Sequence, residues 1–127
     1  MSADPLTVVE AYLDARDRYD YERARTFLAD TGFEFRSPIS RFGSADAFIQ
    51  HSALVGGIVL SAQRRKVFAD GSDVCHILTY RIQISEKLSV AVAQWARVED
   101  GRIRRIEAIF DATAYRQLFP DAEPPNV

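Results

Sequence analysis

Residues 88–110 read LSVAVAQWARVEDGRIRRIEAIF, and this stretch decides the fold. On either side of Asp100-Gly101 apolar residues recur at every second position, which is typical of two strands joined by a tight turn. Residues 74–84 (VCHILTYRIQI) alternate in the same way, and Asp70-Gly71 joins them to an earlier run. The sequence therefore predicts four consecutive antiparallel strands, over residues 58–69, 74–84, 88–99 and 102–110.

The part of the chain before these strands has the apolar spacing of amphipathic helices. A short strand over residues 33–37 interrupts the helical pattern, and Gly56-Gly57 ends it. Three predicted helices start after the capping residues Asp4, Asp20 and Ser44. Helices first and long strands afterwards predict an α+β fold, with the helices packed on one face of a mainly antiparallel sheet.

The composition is that of one folded domain over residues 1–127. Hydrophobic residues make up 47% of the chain and charged residues 27%, which is an ordinary balance for a globular protein. The length is enough for one core and too short for two. The Pro-rich end, residues 120–127, is expected to be a loose tail.

Charge, hydropathy and cysteine content limit the classes of binding partner and the cellular compartment that we expect. The net charge is −2 with interspersed signs, which predicts no nucleic-acid partner. No apolar run approaches the roughly 18 residues of a membrane span, which predicts no membrane contact. The one cysteine, Cys75, cannot form an internal disulfide, and the first residues lack a secretion-signal pattern, so we expect a cytoplasmic protein.

The alternation assigns the two faces of the sheet. His76 and Tyr80 fall on the inner, helix-facing side, and in the last strand Arg104 falls there with Ile106. The outer side carries an apolar patch, and a monomer would expose it. We therefore expect a homodimer through the outer sheet face, with scattered surface hydrophobes as the alternative. The residues of this patch are Ala91, Ala93, Trp95 and Ile109.

A set of short motifs occurs in one order along residues 5–119. They are Val8-Val9 with Tyr12, Asp20, Phe27 to Asp30, Ser37-Pro38, Gly43-Ser44-Ala45, Asp100 to Ile103, and Phe110-Asp111. Together they resemble the SnoaL-like branch of the NTF2-like superfamily, which includes ketosteroid isomerases, polyketide cyclases and limonene-epoxide hydrolases. The resemblance implies a cone, in which a strongly curved sheet wraps around the third helix.

The resemblance also implies an apolar pocket between the concave sheet face and the first helices. Small-molecule sites usually combine apolar walls with a few polar groups. The expected lining residues are Phe35, Ser37, Phe48, His51, Tyr80, Val92, Gln94, Ile106, Ala108 and Phe110, with His51 either in the cavity or at its rim.

The ketosteroid isomerase pattern carries over only in part. Tyr12 matches the oxyanion tyrosine of that family, but Ser37 stands where the family has its base aspartate, and Gln94 where it has its second acid. Neither a lone serine nor a glutamine can abstract a carbon-bound proton, so steroid isomerisation is not expected. Asp111 matches the position of an acid/base aspartate in SnoaL-like cyclases. We expect it to act in this way if burial raises its pKa; the alternative is an ordinary helix N-cap.

Two classes of function stay open. One is a cofactor-free cyclase or isomerase that acts on a small hydrophobic carbonyl compound, with His76, Asp111 and Tyr12 as catalytic residues. The other is a non-catalytic module that binds a hydrophobic ligand or forms a dimeric assembly, in which His76 is a buried structural histidine. No cofactor is expected, and no metal site, because His51, His76 and Cys75 form no recognisable ligand set.

Overall fold

The computed structural model describes residues 4–83 and 87–118, and its first helix, α1, covers Pro5–Asp17. The Asp4 carboxylate accepts a hydrogen bond from the Thr7 backbone amide at 3.3 Å. Pro5 occupies the first turn, where the missing N–H has no helical partner to lose. One face of α1 is buried through Val8, Val9, Tyr12, Leu13 and Ala15. The predicted start of this helix is confirmed.

The later helices also begin at their predicted caps. The Asp20 carboxylate accepts a hydrogen bond from the Arg23 amide at 3.1 Å, and the Ser44 hydroxyl accepts one from the Ala47 amide at 3.1 Å. Each bond satisfies an amide that has no partner inside its own helix. The elements are α2 (Tyr21–Thr26), α3 (Ala45–Val55), a 3₁₀ turn (Gly56–Ile58) and α4 (Thr113–Leu118).

Six strands form one sheet. They are β1 (Glu34–Arg36), β2 (Arg41–Phe42), β3 (Val59–Asp70), β4 (Asp73–Gln83), β5 (Lys87–Glu99) and β6 (Arg102–Ile109). Their order across the sheet is β2-β1-β6-β5-β4-β3; β1 runs parallel to β6, and the other neighbours are antiparallel. The predicted four-strand meander is confirmed. The two-residue strand β2 is too short to leave a signal in the sequence.

One irregularity in the last hairpin departs from the alternation. Arg97 pairs with Arg105, but Val98 pairs with Ile103, so Arg104 is the extra residue of a β-bulge. Ile103 is consequently buried and Arg104 exposed. The expected inward position of Arg104 is therefore wrong. Strand β3 has two further register shifts against β4, and bulges of this kind bend strands into a curved sheet.

The core lies between the helices and the concave face of the sheet. Phe48 of α3 stacks on Phe35 of β1 with ring centroids 4.4 Å apart, and the Phe33 ring lies 5.5 Å from that of Phe48. Further along the concave face, Leu78 lies at the centre of a second apolar cluster with Val92, Ala108, Tyr80, Val90 and Phe110. Side chains on this face therefore pack on one another as well as on α3.

The predicted α+β architecture is confirmed, with three N-terminal helices on one face of a curved, unclosed, mainly antiparallel sheet. That residues 1–127 form a single domain stays a prediction, and the expected loose tail at 120–127 lies outside the described residues. None of the helices in the described ranges has the length and apolar character needed to cross a membrane.

Candidate functional site

A cavity of about 440 Å³ opens at one end of the helical layer. It lies where the end of α1, the start of α2 and the end of α3 face β3 and β4. Its volume is within the usual range for small-molecule sites. The lining residues are Arg16, Asp17, Tyr19, Tyr21, Ser52, Val55, Gly56, Val59, Leu60, Ser61, Ala62, Tyr80 and Ile82.

Small residues leave the space for this cavity. Ser52 of α3 and the neighbouring pair Ser61 and Ala62 of β3 occupy positions where larger side chains would fill it. Gly56 follows α3 directly, and a Cβ atom at this position would collide with the Tyr21 hydroxyl. The glycine therefore allows α2 and the end of α3 to meet at the wall of the cavity.

Tyr19 forms part of the rim between α1 and α2. Its φ angle of 59° lies in the left-handed region, which is uncommon for a residue with a side chain. Its hydroxyl donates a hydrogen bond to the Val59 carbonyl oxygen at 3.0 Å. This bond ties the turn after α1 to the first residue of β3.

The buried end of the cavity is polar and carries a positive charge. Arg16 Nη1 donates a hydrogen bond to Gln94 Oε1 at 3.2 Å, and the Tyr80 hydroxyl donates to the same oxygen at 3.3 Å. The Arg16 guanidinium also lies 5.2 Å from the centre of the Tyr80 ring. We call Arg16 and Tyr80, with Gln94 behind them, the polar floor. The Arg16 side chain is 18% exposed.

The tyrosines near Arg16 are hydrogen-bond donors, not bases. Burial raises the pKa of Tyr12 to about 12, against the opposing effect of Arg16. Burial likewise raises the pKa of Tyr80, again opposed by Arg16. Both hydroxyls are therefore protonated at neutral pH. Tyr12 lies one helical turn before Arg16 and is not among the lining residues.

Asp17 places a carboxylate at the rim, where it is shared between two arginines. Its nearer oxygen is 3.7 Å from Arg16 Nη2, while Arg64 Nη2 donates a hydrogen bond to the other oxygen at 3.2 Å. Arg64 of β3 also binds Glu10 at 3.0 Å and Asp14 at 2.7 Å. One arginine thus joins three acidic residues of α1 to the sheet.

His76 is buried on the inner face, as the alternation predicts. It is 2% exposed, and within the described part of the chain neither ring nitrogen has a hydrogen-bond partner. Burial lowers its pKa, although Glu10, whose Oε2 lies 3.7 Å from Nε2, opposes the shift. The imidazole is therefore neutral at pH 7. It is not among the residues that line the cavity.

The sequence matches no model of a known protein family and no curated protein. Solved structures do match. A Burkholderia thailandensis NTF2-like protein aligns with a TM-score of 0.81 at 20% identity, over 92% of this chain and 98% of that one. This chain has the NTF2-like fold. An LEH-like epoxide hydrolase from M. tuberculosis (TM-score 0.75, 21% identity, 91% and 96% covered) and a ketosteroid isomerase-like protein from Kribbella flavida (0.75, 14%, 97% and 83%) share it.

Within this NTF2-like fold, Ser37 and Gln94 have structural partners. The Ser37 hydroxyl oxygen accepts hydrogen bonds from the backbone amides of Ile39 at 3.2 Å and Ser40 at 3.1 Å, which holds the turn after β1. Gln94 Oε1 accepts hydrogen bonds from Arg16 and Tyr80. Neither residue lines the cavity.

Asp111 of the NTF2-like fold is exposed and does not have the raised pKa that a buried acid would need. Its carboxylate accepts a hydrogen bond from the Thr113 backbone amide at 3.0 Å and another from the Thr113 hydroxyl. These bonds hold its pKa below the usual range. The expected rise in pKa is therefore wrong, and the carboxylate holds the turn that leads into α4.

Most of the predicted lining lies elsewhere in the NTF2-like fold. Phe35 and Phe48 belong to the aromatic cluster, and the His51 ring lies 4.9 Å from that of Phe42 at its edge. Val92, Ala108 and Phe110 belong to the second cluster, and Ile106 to the main core. Of the predicted lining residues, Tyr80 alone lines the cavity described above.

Sequence reasoning missed Arg16 and Asp17, although one signal for Arg16 was present. Arg16 lies four positions after Tyr12, on the buried stripe of α1, and an arginine on such a stripe needs a buried partner. The β3 residues that line the cavity left no signal, because only the tertiary structure brings them to α1. Within the described part of the chain, no three His, Cys, Asp or Glu side chains are grouped so as to hold a metal ion.

Proposed function

We propose that this chain binds a small molecule with an apolar body and an oxygen acceptor such as a carbonyl. The observation that carries the proposal is the polar floor, where the Arg16 guanidinium presents N–H donors beside the Tyr80 hydroxyl, in a cavity of about 440 Å³. Apolar walls with a few polar groups are the usual composition of ligand sites. The walls here are Val55, Val59, Leu60, Ala62 and Ile82.

Binding without catalysis is the better supported of the two classes. His76 and Asp111, the expected acid/base residues, do not line the cavity. The tyrosine of the polar floor is protonated at neutral pH, so it donates and does not abstract a proton. The donors of the polar floor would orient the ligand through its oxygen atom.

A variant that fills the cavity tests this function. Ala62→Phe adds a ring to the wall, whereas Gln63→Phe adds the same ring at the exposed next position of β3. The wild type should gain thermal stability with at least one steroid, aromatic polyketide or terpenoid epoxide. A ligand at a hundred times its Kd adds about 2.7 kcal/mol. Gln63→Phe should keep this gain and Ala62→Phe should lose it. No gain with any compound, or equal gains in both variants, would contradict the proposal.

A second candidate function rests on Asp17. Its carboxylate lines the same cavity as the donors of Arg16 and Tyr80, so a carbonyl compound could lose an α-proton to Asp17 while those donors stabilise the enolate oxygen. This is the chemistry of a cofactor-free cyclase or isomerase of the SnoaL-like type. Exchange of the ligand's α-protons in D₂O, followed by NMR and abolished in Asp17→Asn, would support it. Binding without exchange would leave the non-catalytic function alone.

We further propose a homodimer through the outer sheet face. Trp95 is 38% exposed and Ile109 is 55% exposed, and Ala93 pairs with Ile109 in the register, so the patch is continuous with Ala91 along β5. Trp95 Nε1 already donates to Asp73 at 3.0 Å, which fixes the ring in the surface. Light scattering should give twice the monomer mass for the wild type and the monomer mass for Ile109→Lys. A monomeric wild type would contradict the dimer.

A further inference from the structure

The guanidinium of Arg16 has no hydrogen-bonded carboxylate among the described residues. Its Nη1 donates to Gln94 Oε1, a neutral acceptor, at 3.2 Å, and the neighbouring Tyr12 and Tyr80 hydroxyls are neutral as well. Asp17 Oδ1 forms an ion pair with Arg16 Nη2 at 3.7 Å, which is beyond hydrogen-bonding distance. The arginine is nevertheless largely buried. A buried cation without a hydrogen-bonded anion is costly, and an anionic ligand would remove that cost.

Donors also outnumber acceptors at the polar floor. The guanidinium carries five N–H donors, and the Tyr80 hydroxyl adds one more. Arg16 Nη1 and the Tyr80 hydroxyl both donate to the same oxygen, Gln94 Oε1. A ligand that fits this arrangement must bring acceptors. A carboxylate brings two oxygens in the plane and spacing that a guanidinium binds in a bidentate manner.

The acidic residues nearby neutralise this position only in part, through the ion pair of Asp17 with Arg16. Glu10, Asp14 and Asp17 are all bound by Arg64, on the side of α1 that faces β3. Asp14 and Asp17 are exposed to solvent, so their charges are screened. Arg16 points instead to Gln94 and Tyr80, at the buried end of the cavity. The local field at the polar floor is therefore set by Arg16.

We propose that the ligand of this cavity is a monocarboxylate with a compact apolar body, whose carboxylate pairs with Arg16 and whose body contacts the apolar walls. This inference rests on the proposed function, because it requires that the cavity binds a ligand. It adds the chemical class. A neutral ketone or amide of the same shape would accept a hydrogen bond from Arg16 but would bring no anion to it.

Matched pairs of acid and amide test the class by isothermal titration calorimetry at pH 7.5. The probes are hexanoate, 4-phenylbutanoate and 2-naphthylacetate, each beside its primary amide, which has the same shape without the charge. For at least one pair the acid should bind tighter than the amide by about tenfold or more, as expected for a charge-assisted hydrogen-bonded pair. Arg16→Gln should remove this preference while the amide affinity changes by less than about threefold.

Two further variants separate a contact from a general charge effect. Arg18→Gln removes the same charge at the exposed C-terminus of α1, outside the cavity, and should keep the acid preference. Arg16→Lys keeps the charge without the planar fork and should keep part of the preference. It also serves if Arg16→Gln does not fold, as judged by its circular dichroism spectrum.

The outcomes distinguish the carboxylate inference from the proposed ligand-binding function on which it rests. Equal binding of acid and amide by the wild type would overturn the carboxylate inference and leave the binding function standing. Binding of no probe would overturn the carboxylate inference, while binding of a neutral compound from the thermal screen would still support the function. Equal loss of acid preference in Arg16→Gln and Arg18→Gln would overturn the direct pairing.

Discussion

Replacing Phe48 with alanine tests whether the aromatic cluster is packed core or ligand-binding surface. Phe48 is 6% exposed, and its ring stacks on Phe35 at 4.4 Å and lies 5.5 Å from Phe33. Burying a phenylalanine removes about 150–250 Å² from water, which at about 25 cal/mol per Å² gives roughly 4–6 kcal/mol. Alanine keeps a small part of this area. We therefore expect Phe48→Ala to lower the free energy of unfolding by about 3–5 kcal/mol.

Urea denaturation followed by circular dichroism measures this loss, and the chain offers a matched control. Phe68 of β3 is 58% exposed, so Phe68→Ala should change the free energy of unfolding by no more than about 0.5 kcal/mol. A loss below about 1 kcal/mol for Phe48→Ala, or a loss equal to that of Phe68→Ala, would refute the packing argument. It would favour instead the open pocket expected from the resemblance.

Three further predictions concern charged and titratable groups. The free energy of unfolding should fall between pH 7 and 5, by up to about 1.4 kcal/mol per pH unit. Burial lowers the pKa of His76 in the folded chain, although Glu10 opposes the shift. The unfolded chain therefore binds a proton first as the pH falls below about 6.5. Urea titrations of His76→Leu at several pH values should show a smaller slope of the free energy of unfolding against pH. An unchanged slope would assign the pH dependence to other groups. Arg64→Met should lower the free energy of unfolding by about 1 kcal/mol, because it removes the ion pairs with Glu10 and Asp14 of α1. These pairs are partly exposed, so 0.5 M NaCl should reduce the difference. A loss that does not depend on salt would point to packing. Asp111→Ala should leave ligand affinity unchanged by calorimetry, and a tenfold drop would return Asp111 to the site.

The fold could be predicted because local signals agree along most of the chain. Asp4, Asp20 and Ser44 each sit before an apolar stripe and each caps a helix in the structure. The long strands alternate cleanly, so their order and inner faces follow from the sequence. Alternation did not predict the bulge at Arg104. The extra residue moves Ile103 to the inner face, and nothing in the residue types marks this shift.

The site was harder to predict, because it depends on which side chains fill the concave face. Alternation correctly places His76, Val92 and Ala108 on the inner side, but it does not say whether an inner residue borders space or packing. Phe48 stacks on Phe35, and both residues were expected to line the pocket. The cavity forms instead where Ser61, Ala62 and other small residues meet the end of α1. That meeting depends on the tertiary structure and leaves no local pattern.

The central claim is that the ligand lies in the cavity above the polar floor, and contacts between ligand and methyl groups test it most directly. With 4-phenylbutanoate at saturation, isotope-filtered NMR should show contacts from its phenyl ring to the methyl groups of Val59, Ala62 and Ile82, which line the cavity. Contacts to Val92 and Ala108 instead would place the ligand on the concave face expected from the sequence and would contradict the claim.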